Sequence, residues 1–383
     1  MIKLGIDARI VQNKSSGLVS YTQNLISQIA NNPLFELYIF ARQEYKSLFD
    51  AVLTKAHFVP VYFNPSFLNS TNFLHEQLFL HKTINDCKLD IFHCPFGYGV
   101  PFPIQTKTIL TIHDIIPLYP YDYLTFMQKL IYKMSLHISL NKSSHIVTIS
   151  EFTKKDLLKM FPSLASKPMS VIHNGFDNLT RLSTPSLFEN LKKQYNLPED
   201  YIVYLGSGTK RKNLINLTRA FILWKKQKKE NHKLVLISKF NRPETAKTLE
   251  EIKSLLLENG LMQEIVHVPY VNNDEKAALL SKARLFIYPS IYEGFGLPLL
   301  EAASCNVPVC CSDLPVFREV CGEAATYFNP FEPSSISHAI DVCLHDEPLR
   351  SIMIQKGKER LSLFSWERMI SQYVNVYNFV AKI

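Results

Sequence analysis

The sequence predicts two α/β domains in succession, each a doubly wound parallel sheet with helices on both faces. Three observations carry this expectation. The chain has 383 residues, more than one ordinary core supports and comfortable for two. Short apolar, β-rich runs alternate with longer segments of helical period along most of its length. The alternation pauses at a polar stretch near the middle and then restarts, so one βα series follows another.

In the first series, strands are expected at Ile2–Ile6, Leu37–Phe40, Phe58–Val61, Ile91–Cys94, Thr108–Ile112, Ile146–Ile149 and Ser170–His173. Continuous apolar runs of this kind, bounded by turn residues, suit strands buried on both faces. After Gly17, the residues Leu18, Tyr21, Leu25, Ile26 and Ile29 form a stripe at helical spacing. The stretch Leu124–Leu140 is strongly apolar with Lys129 and Lys133 interspersed, and Ser150 before EFTKKDLLKM reads as a helix N-cap. The polar residues after Asp177, with Pro185 and Pro198, read as a linker. Strands are then expected at Ile202–Leu205, Leu234–Ser238, Ile265–Val268, Leu285–Tyr288, Val307–Cys310 and Ala325–Phe328. This divides the chain into 1–178 and 179–364, followed by an amphipathic final helix within 365–383 that begins at Trp366. Periodicity alone lets that helix pack on either domain. Ligands of such sheets bind beyond the carboxyl ends of the strands, so two facing domains would hold a ligand in a cleft.

Composition narrows the function. Hydrophobic residues make up 46% and charged residues 20%, which suits a folded globular protein and argues against disorder. The net charge of +8, from 42 basic and 34 acidic residues, favours anionic partners such as nucleotides, phosphorylated lipids or a membrane surface. The basic run Trp224–Lys233 reads as a solvated helix end, and no nucleic-acid-binding motif accompanies the charge. Seven cysteines, an odd number without a CxxC pair, point to buried free thiols in a reducing compartment. The opening MIKLGIDARI reads as a strand, not a signal peptide, and no apolar run reaches the roughly 18 residues of a spanning helix. The expected location is cytoplasmic, with peripheral contact at the inner face of a membrane left open.

Two loops stand out chemically. In Leu285–Glu301, a strand runs into IYEGFG, and Leu297 with Pro298 opens a helix. Gly294 and Gly296 let a ligand approach the backbone, and the amides of Phe295, Gly296 and Leu297 would face a phosphate at the helix N-terminus. Glu301, expected in the first turn, can accept bonds from two ribose hydroxyls, while Glu293 would stand where a bound sugar lies. A strand, loop and helix with a proline start and a dipole-favoured glutamate is the plain structural alternative. In Tyr204–Leu214, Gly206 and Gly208 precede Lys210, Arg211 and Lys212 at a helix entrance, where Arg can fork a diphosphate and Lys can act as a point charge. Here the alternative is a surface turn with solvated charges; no GxxxxGK[ST] phosphate loop is present. In the first domain, Gly17 opens a helix and would give a ligand room, with a simple turn as the alternative. His113, ending an apolar strand, can bond a sugar hydroxyl or move a proton, or be a buried, satisfied histidine. His93 is a weaker candidate of the same kind. No histidine or cysteine spacing suits a metal, and no GxGxxG or GxSxG occurs.

Taken in order, GIDAR with Gly17 and YTQNL, HDIIPL, TISEFTKKDL, VIHNGFD, YLGSGTKRKNL, EGFGLPLLEA and FSWERM resemble the family 4 retaining glycosyltransferases across nearly the whole chain. The resemblance implies the GT-B fold: two Rossmann-like domains facing across a cleft, acceptor mainly on the first, nucleotide sugar on the second, and the closing helix crossing back to the first. It implies no cofactor and no metal. Carried onto this chain, Arg211 and Lys212 would hold the diphosphate and stabilise the leaving group, and Glu301 would bind the ribose. Glu293 would contact the donor sugar, helped by the amides near Phe295 and Gly296. His113 would lie by the sugar on the first-domain side, and Gly17 would make room for the donor.

Lys210 stands where relatives often have proline, and Ser207 where some have arginine, so the diphosphate would lean more on Lys210, Arg211 and Lys212. GIDAR with HDIIPL and RKNL most resembles bacterial mannosyltransferases of surface-polysaccharide assembly. That favours GDP-mannose as donor, with UDP-sugars open, and a saccharide or lipid-linked saccharide as acceptor. The basic, apolar stretch Leu124–Lys142 would then touch the membrane or serve as an internal packing helix. The competing readings are a sugar-nucleotide epimerase of the same fold, which would want a different acid–base set, and a non-catalytic nucleotide-sugar binder.

Overall fold

The computed structural model describes residues 1–12, 16–62, 79–101, 104–121, 124–179, 184–228 and 230–382. The chain divides into two compact units, Met1–Gly175 with Phe364–Ile383, and Phe176–Leu363.

The first unit is built on a wholly parallel sheet of β1 (Ile2–Asp7), β2 (Phe35–Arg42), β3 (Ala56–Val61), β4 (Ile91–Cys94), β5 (Lys107–Ile112), β6 (His145–Thr148) and β7 (Met169–Val171). Their order is β3-β2-β1-β4-β5-β6-β7. The second unit carries β8 (Tyr201–Leu205), β9 (Lys233–Ile237), β10 (Ile265–Val268), β11 (Leu285–Tyr288), β12 (Val309–Ser312) and β13 (Ala325–Phe328), also wholly parallel, in the order β10-β9-β8-β11-β12-β13. Every residue of β4, β6, β11 and β12 is buried, which is why these strands read as unbroken apolar runs rather than alternating ones.

In each sheet the strand order reverses once, between β1 and β4 and between β8 and β11. Chain connections leave in opposite directions from such a pair, so the loops beyond their carboxyl ends part and open a crevice. The loops after β8 and β11 are the two singled out from the sequence.

Three sequence expectations need correction. The stretch after Asp177 is not all linker: Pro185–Tyr195 is a helix that buries Phe188 and Leu191, with Pro185 in its first turn. Proline marked the start of an element there, not a gap between elements. The strand expected at Val307–Cys310 runs instead from Val309 to Ser312, because the Val307 amide still bonds Ala302 O at the end of the preceding helix (3.2 Å). Glu301 is not in the first turn of its helix. That helix runs Leu297–Ser304, and Glu301 is its fifth residue.

Ser150 caps Glu151–Met160 as expected, accepting from the Thr153 amide at 3.0 Å. The seven cysteines are free thiols. The final helix, Trp366–Lys382, belongs to the first unit, where Met369, Ile370, Tyr373, Val376, Tyr377 and Val380 join the core of Leu4, Ile6 and Ile91. Its apolar stripe alone could not name that partner.

At the carboxyl end of β1, the Arg9 guanidinium donates to both oxygens of Asp7 (Nε to Oδ1 2.9 Å, Nη2 to Oδ2 2.6 Å), and Nη2 also donates to Gly99 O at 3.2 Å. Both side chains are fully buried. Breaking a buried pair from one side strands the other charge, so Asp7→Asn should cost about 3–5 kcal/mol. Urea unfolding measures this; a loss below about 1 kcal/mol would show that Arg9 finds another partner.

Candidate active site

The second unit places a compact charge cluster at its switch point. β8 and β11 pair directly, with Ile202 opposite Leu285 and Val203 opposite Phe286, so the residues that follow them emerge side by side. After β8 the chain passes Gly206 and Gly208 into a single 3-10 turn, Lys210–Lys212. Both glycines are packed closely: a Cβ on Gly206 would lie 2.5 Å from the Tyr204 hydroxyl, and one on Gly208 would lie 2.3 Å from the Phe240 ring. Asn213 ends the turn in the left-handed conformation (φ 59°), which asparagine tolerates. Its amide nitrogen donates to Pro330 O at 2.7 Å, tying the turn to the loop after β13. The Ile291 amide donates to Arg211 O at 2.8 Å, joining the two loops through the backbone.

The turn aims its cations at one carboxylate. Arg211 Nη1 lies 2.6 Å and Lys212 Nζ 2.5 Å from Glu293 Oε1. Arg211 Nη1 also donates to Tyr292 O (3.1 Å), and the Tyr288 hydroxyl donates to Glu293 Oε1 (3.2 Å) while bonding Lys212 Nζ. Lys212 and Glu293 are buried. Burial by itself would raise the Glu293 pKa, but Lys212 and then Arg211 outweigh it and hold the carboxyl at about 2. Burial, with the Glu293 charge nearby, pushes Tyr204 and Tyr288 well above the usual phenol range. Two cations and one anion leave the cluster with a net positive charge.

Lys210 faces solvent, on the opposite side of the division from buried Lys212. Gly296 is the N-cap of Leu297–Ser304 with φ 114°, a conformation L side chains rarely adopt, and a Cβ there would lie 3.0 Å from Leu299 and 3.1 Å from Phe317. Phe295 beside it is buried and Leu297 half-buried. Glu301 bonds Lys276 Nζ at 2.5 Å, from the neighbouring helix Asn273–Ser281.

In the first unit, Gly17 begins the helix Gly17–Ile29, capped by the Ser16 hydroxyl, and nothing lies within 4 Å of where its Cβ would stand. Its small size therefore answers no packing need among the described residues. His113 follows β5 directly. Its Nε2 sits 2.9 Å from Pro95 O, and since a carbonyl only accepts, Nε2 carries the proton and Nδ1 is the acceptor. Burial outweighs the Pro95 bond and lowers its pKa to about 4, so the ring is neutral at physiological pH. His93 is fully buried between Tyr377 (Nδ1, 2.7 Å) and Thr111 (Nε2, 2.8 Å), a core histidine with both nitrogens engaged.

With this geometry in hand, comparison with known proteins decides the family. The family model described as Glycosyltransferase Family 4 matches residues 15–178, and the one described as Glycosyl transferases group 1 matches residues 188–360. The chain is 31% identical over 303 residues to O-antigen chain mannosyltransferase B of Escherichia coli, covering 78% of this chain and 76% of that protein. This chain belongs to the family 4 glycosyltransferases. It is also 32% identical over 238 residues to O-antigen chain mannosyltransferase RfbU of Salmonella typhimurium, 62% of this chain and 61% of that protein. Among solved structures, sucrose-phosphate synthase from Thermosynechococcus elongatus superposes over 99% of both chains with a TM-score of 0.77 at 18% identity, a likeness of fold. The two Rossmann-like units are those of the GT-B fold, and the protein is a glycosyltransferase.

Within this glycosyltransferase, the structure brings Arg211, Lys212 and Glu293 into one cluster that the sequence had divided between diphosphate and sugar. Sequence reading missed Tyr288, which completes that cluster, Lys276, which holds Glu301, and Asn213, which anchors the basic turn. Tyr288 was legible only as a strand residue. Lys276 lies in a helix with no motif of its own, so only packing reveals it.

The depressed pKa gives a signed pH test. Glu293 ordinarily titrates near 4.5 and here near 2, so its pairing contributes stability that is fully present above about pH 4.5 and lost as pH falls toward 2. The contribution at neutral pH is on the order of 3 kcal/mol. Unfolding curves from pH 7 down to about 2.5 should show wild type losing more stability with acid than Glu293→Gln. Parallel curves would mean the pairing is not kept in solution.

Proposed function

We propose that this glycosyltransferase is a retaining, metal-independent mannosyltransferase. It would take mannose from GDP-mannose and add it to a saccharide or lipid-linked saccharide during surface-polysaccharide assembly. The mannosyl and polysaccharide parts rest on the named O-antigen relatives. The observation that carries the catalytic part is the Arg211–Lys212–Glu293 cluster: two converging cations at the switch point with one carboxylate standing in for an anionic ligand.

In this reading the donor diphosphate displaces the Glu293 carboxylate from Arg211 and Lys212. Glu293, released, accepts bonds from sugar hydroxyls, and Glu301 accepts from the ribose once Lys276 gives way. Gly206, Gly208 and the amides at Phe295, Gly296 and Leu297 line the approach to the phosphates, Lys210 adds long-range attraction, and Gly17 leaves room for the donor. His113 Nδ1 accepts a bond from a sugar hydroxyl. The bond from the anomeric carbon to phosphate breaks while the acceptor oxygen bonds the same face, and the acceptor proton passes to the departing phosphate oxygen. Arg211 and Lys212 stabilise the charge that grows on that phosphate. Electrostatic donors placed in advance of this kind are typically worth ~3 kcal/mol each, roughly 100-fold in rate.

A thermal-shift panel tests the donor. GDP and GDP-mannose should raise the melting temperature, by the equivalent of about 2.7 kcal/mol at a hundredfold excess over Kd, and UDP should not. Lys212→Ala should lose most of that shift and roughly 100-fold in turnover. A shift with UDP alone would move the donor class, and no shift with any nucleotide would sink the reading.

The reading extends to the cytoplasmic face of a membrane, where a lipid-linked acceptor would lie. Among the described residues no helix is long and apolar enough to cross one. The helix Phe126–Lys142 nevertheless exposes Phe126 (81%), Met127 (59%), Leu130 (42%) and Met134 (54%) along one face. Lys133 and Lys142 share its exposed surface, and the helix contains no acidic residue. An apolar face beside cations with no carboxylate complements an anionic bilayer. The protein should sediment with vesicles containing phosphatidylglycerol and not with pure phosphatidylcholine, and F126E/L130E should stay in solution. Equal sedimentation of variant and wild type would refute this surface.

A further inference from the structure

A buried chain of hydrogen bonds leads from the final helix to the flank of His113, and the mechanism above does not use it. The Tyr377 hydroxyl bonds His93 Nδ1 (2.7 Å), and His93 Nε2 bonds Thr111 Oγ1 (2.8 Å). Thr111 Oγ1 bonds the Tyr373 hydroxyl (2.8 Å), which bonds the Tyr21 hydroxyl. All five side chains are buried, and the chain joins four elements: the final helix, β4, β5 and the helix Gly17–Ile29. Burial together with the nearby His113 holds His93 far below its usual value, at about 3, so it is neutral and offers one donor and one acceptor nitrogen. The hydroxyls can therefore all donate in the same direction along the chain, a continuous uncharged path that tolerates no missing member.

The path ends where the chemistry is expected. The Tyr21 ring meets the His113 ring edge-on, centroids 4.6 Å apart at 88°. On its other side His113 is held by Pro95 O. Two contacts thus set the imidazole: a carbonyl that fixes which nitrogen carries the proton, and a ring that fixes the plane. Tyr21 stands one helical turn after Gly17, in the helix Gly17–Ile29.

We propose that Tyr21 is a positioning residue for His113, and that the buried path from Tyr377 through His93, Thr111 and Tyr373 holds Tyr21 in place, making the final helix part of the active-site support. This rests on the reading of His113 as the acceptor of a sugar hydroxyl. A tyrosine at position 21 serves by its ring against His113 and by its hydroxyl toward Tyr373, two separable jobs.

The separation defines the test. Tyr21→Leu removes the ring, Tyr373→Phe removes the hydroxyl that anchors it, and Tyr21→Phe keeps the ring alone. Nitrogen-15 spectra of the His113 imidazole in the unliganded protein report its tautomer and environment without any turnover. Tyr21→Leu and Tyr373→Phe should shift and broaden the His113 signals as the ring plane is released, and lower kcat by roughly 10- to 100-fold with little change in KM for the donor. Tyr21→Phe keeps the ring but cuts the same hydroxyl–hydroxyl bond as Tyr373→Phe, so it should resemble Tyr373→Phe and lose less kcat than Tyr21→Leu. Circular dichroism that matches wild type excludes misfolding, and Tyr21→Phe serves as the milder variant if the others are unstable. Unchanged His113 signals in Tyr21→Leu and Tyr373→Phe would overturn the positioning role. Shifted signals with unchanged kcat would leave the positioning standing and remove His113 from the reaction.

Discussion

The parallel pairing of β8 with β11 is the constraint on which the candidate active site depends. These strands are about eighty residues apart in sequence, and their pairing sets the turn at Lys210–Lys212 beside the loop at Ile291–Gly296. Without it, Arg211, Lys212 and Glu293 would be three charges on separate surface loops, each solvated and each worth little. With it, Lys212 and Glu293 are buried beside Tyr288 with Arg211 half-buried next to them, where a charge must have a partner. The backbone bond from the Ile291 amide to Arg211 O locks the two loops at that spacing. The Asn213 bond to Pro330 O holds the turn from behind.

The same cluster shows how the cations of the proposed diphosphate site are balanced within the protein. Two converging cations repel, and a site built only for a diphosphate would strain until the diphosphate arrived. Glu293 relieves that repulsion from within the protein, and Lys276 does the converse for Glu301. Each proposed ligand group is thus met by a side chain already paired with a partner of opposite charge. In the proposed function, exchange of partners rather than exposure of bare charge would accompany donor binding.

In the first unit the organising element is polar as well. Tyr377, His93, Thr111, Tyr373 and Tyr21 lie inside a core otherwise made of Leu4, Ile6, Leu25 and Ile91. Buried polar groups must find partners, and these find each other only when the final helix sits at one register on the sheet. An apolar stripe at those positions would have packed in several registers.

The sequence by itself determined the local structure and the class of protein. Strands buried on both faces announce themselves as apolar runs, so all thirteen described strands were expected, with Met169–Val171 and Val309–Ser312 the two most displaced from their expected spans. Ordered motifs carried the family, because glycines, basic residues and glutamates at those spacings recur only where a common fold needs them. Tertiary structure decided what those residues touch. Glu293 was assigned to the sugar and is found on Arg211 and Lys212; Lys276 and Tyr288 carried no signal and hold the two glutamates; the final helix had an apolar face and no address. Local propensity is a property of neighbouring residues and can be read along the chain. Charge pairing and hydrogen-bond registers depend on which distant strands lie side by side, and that is fixed only when the sheet has formed.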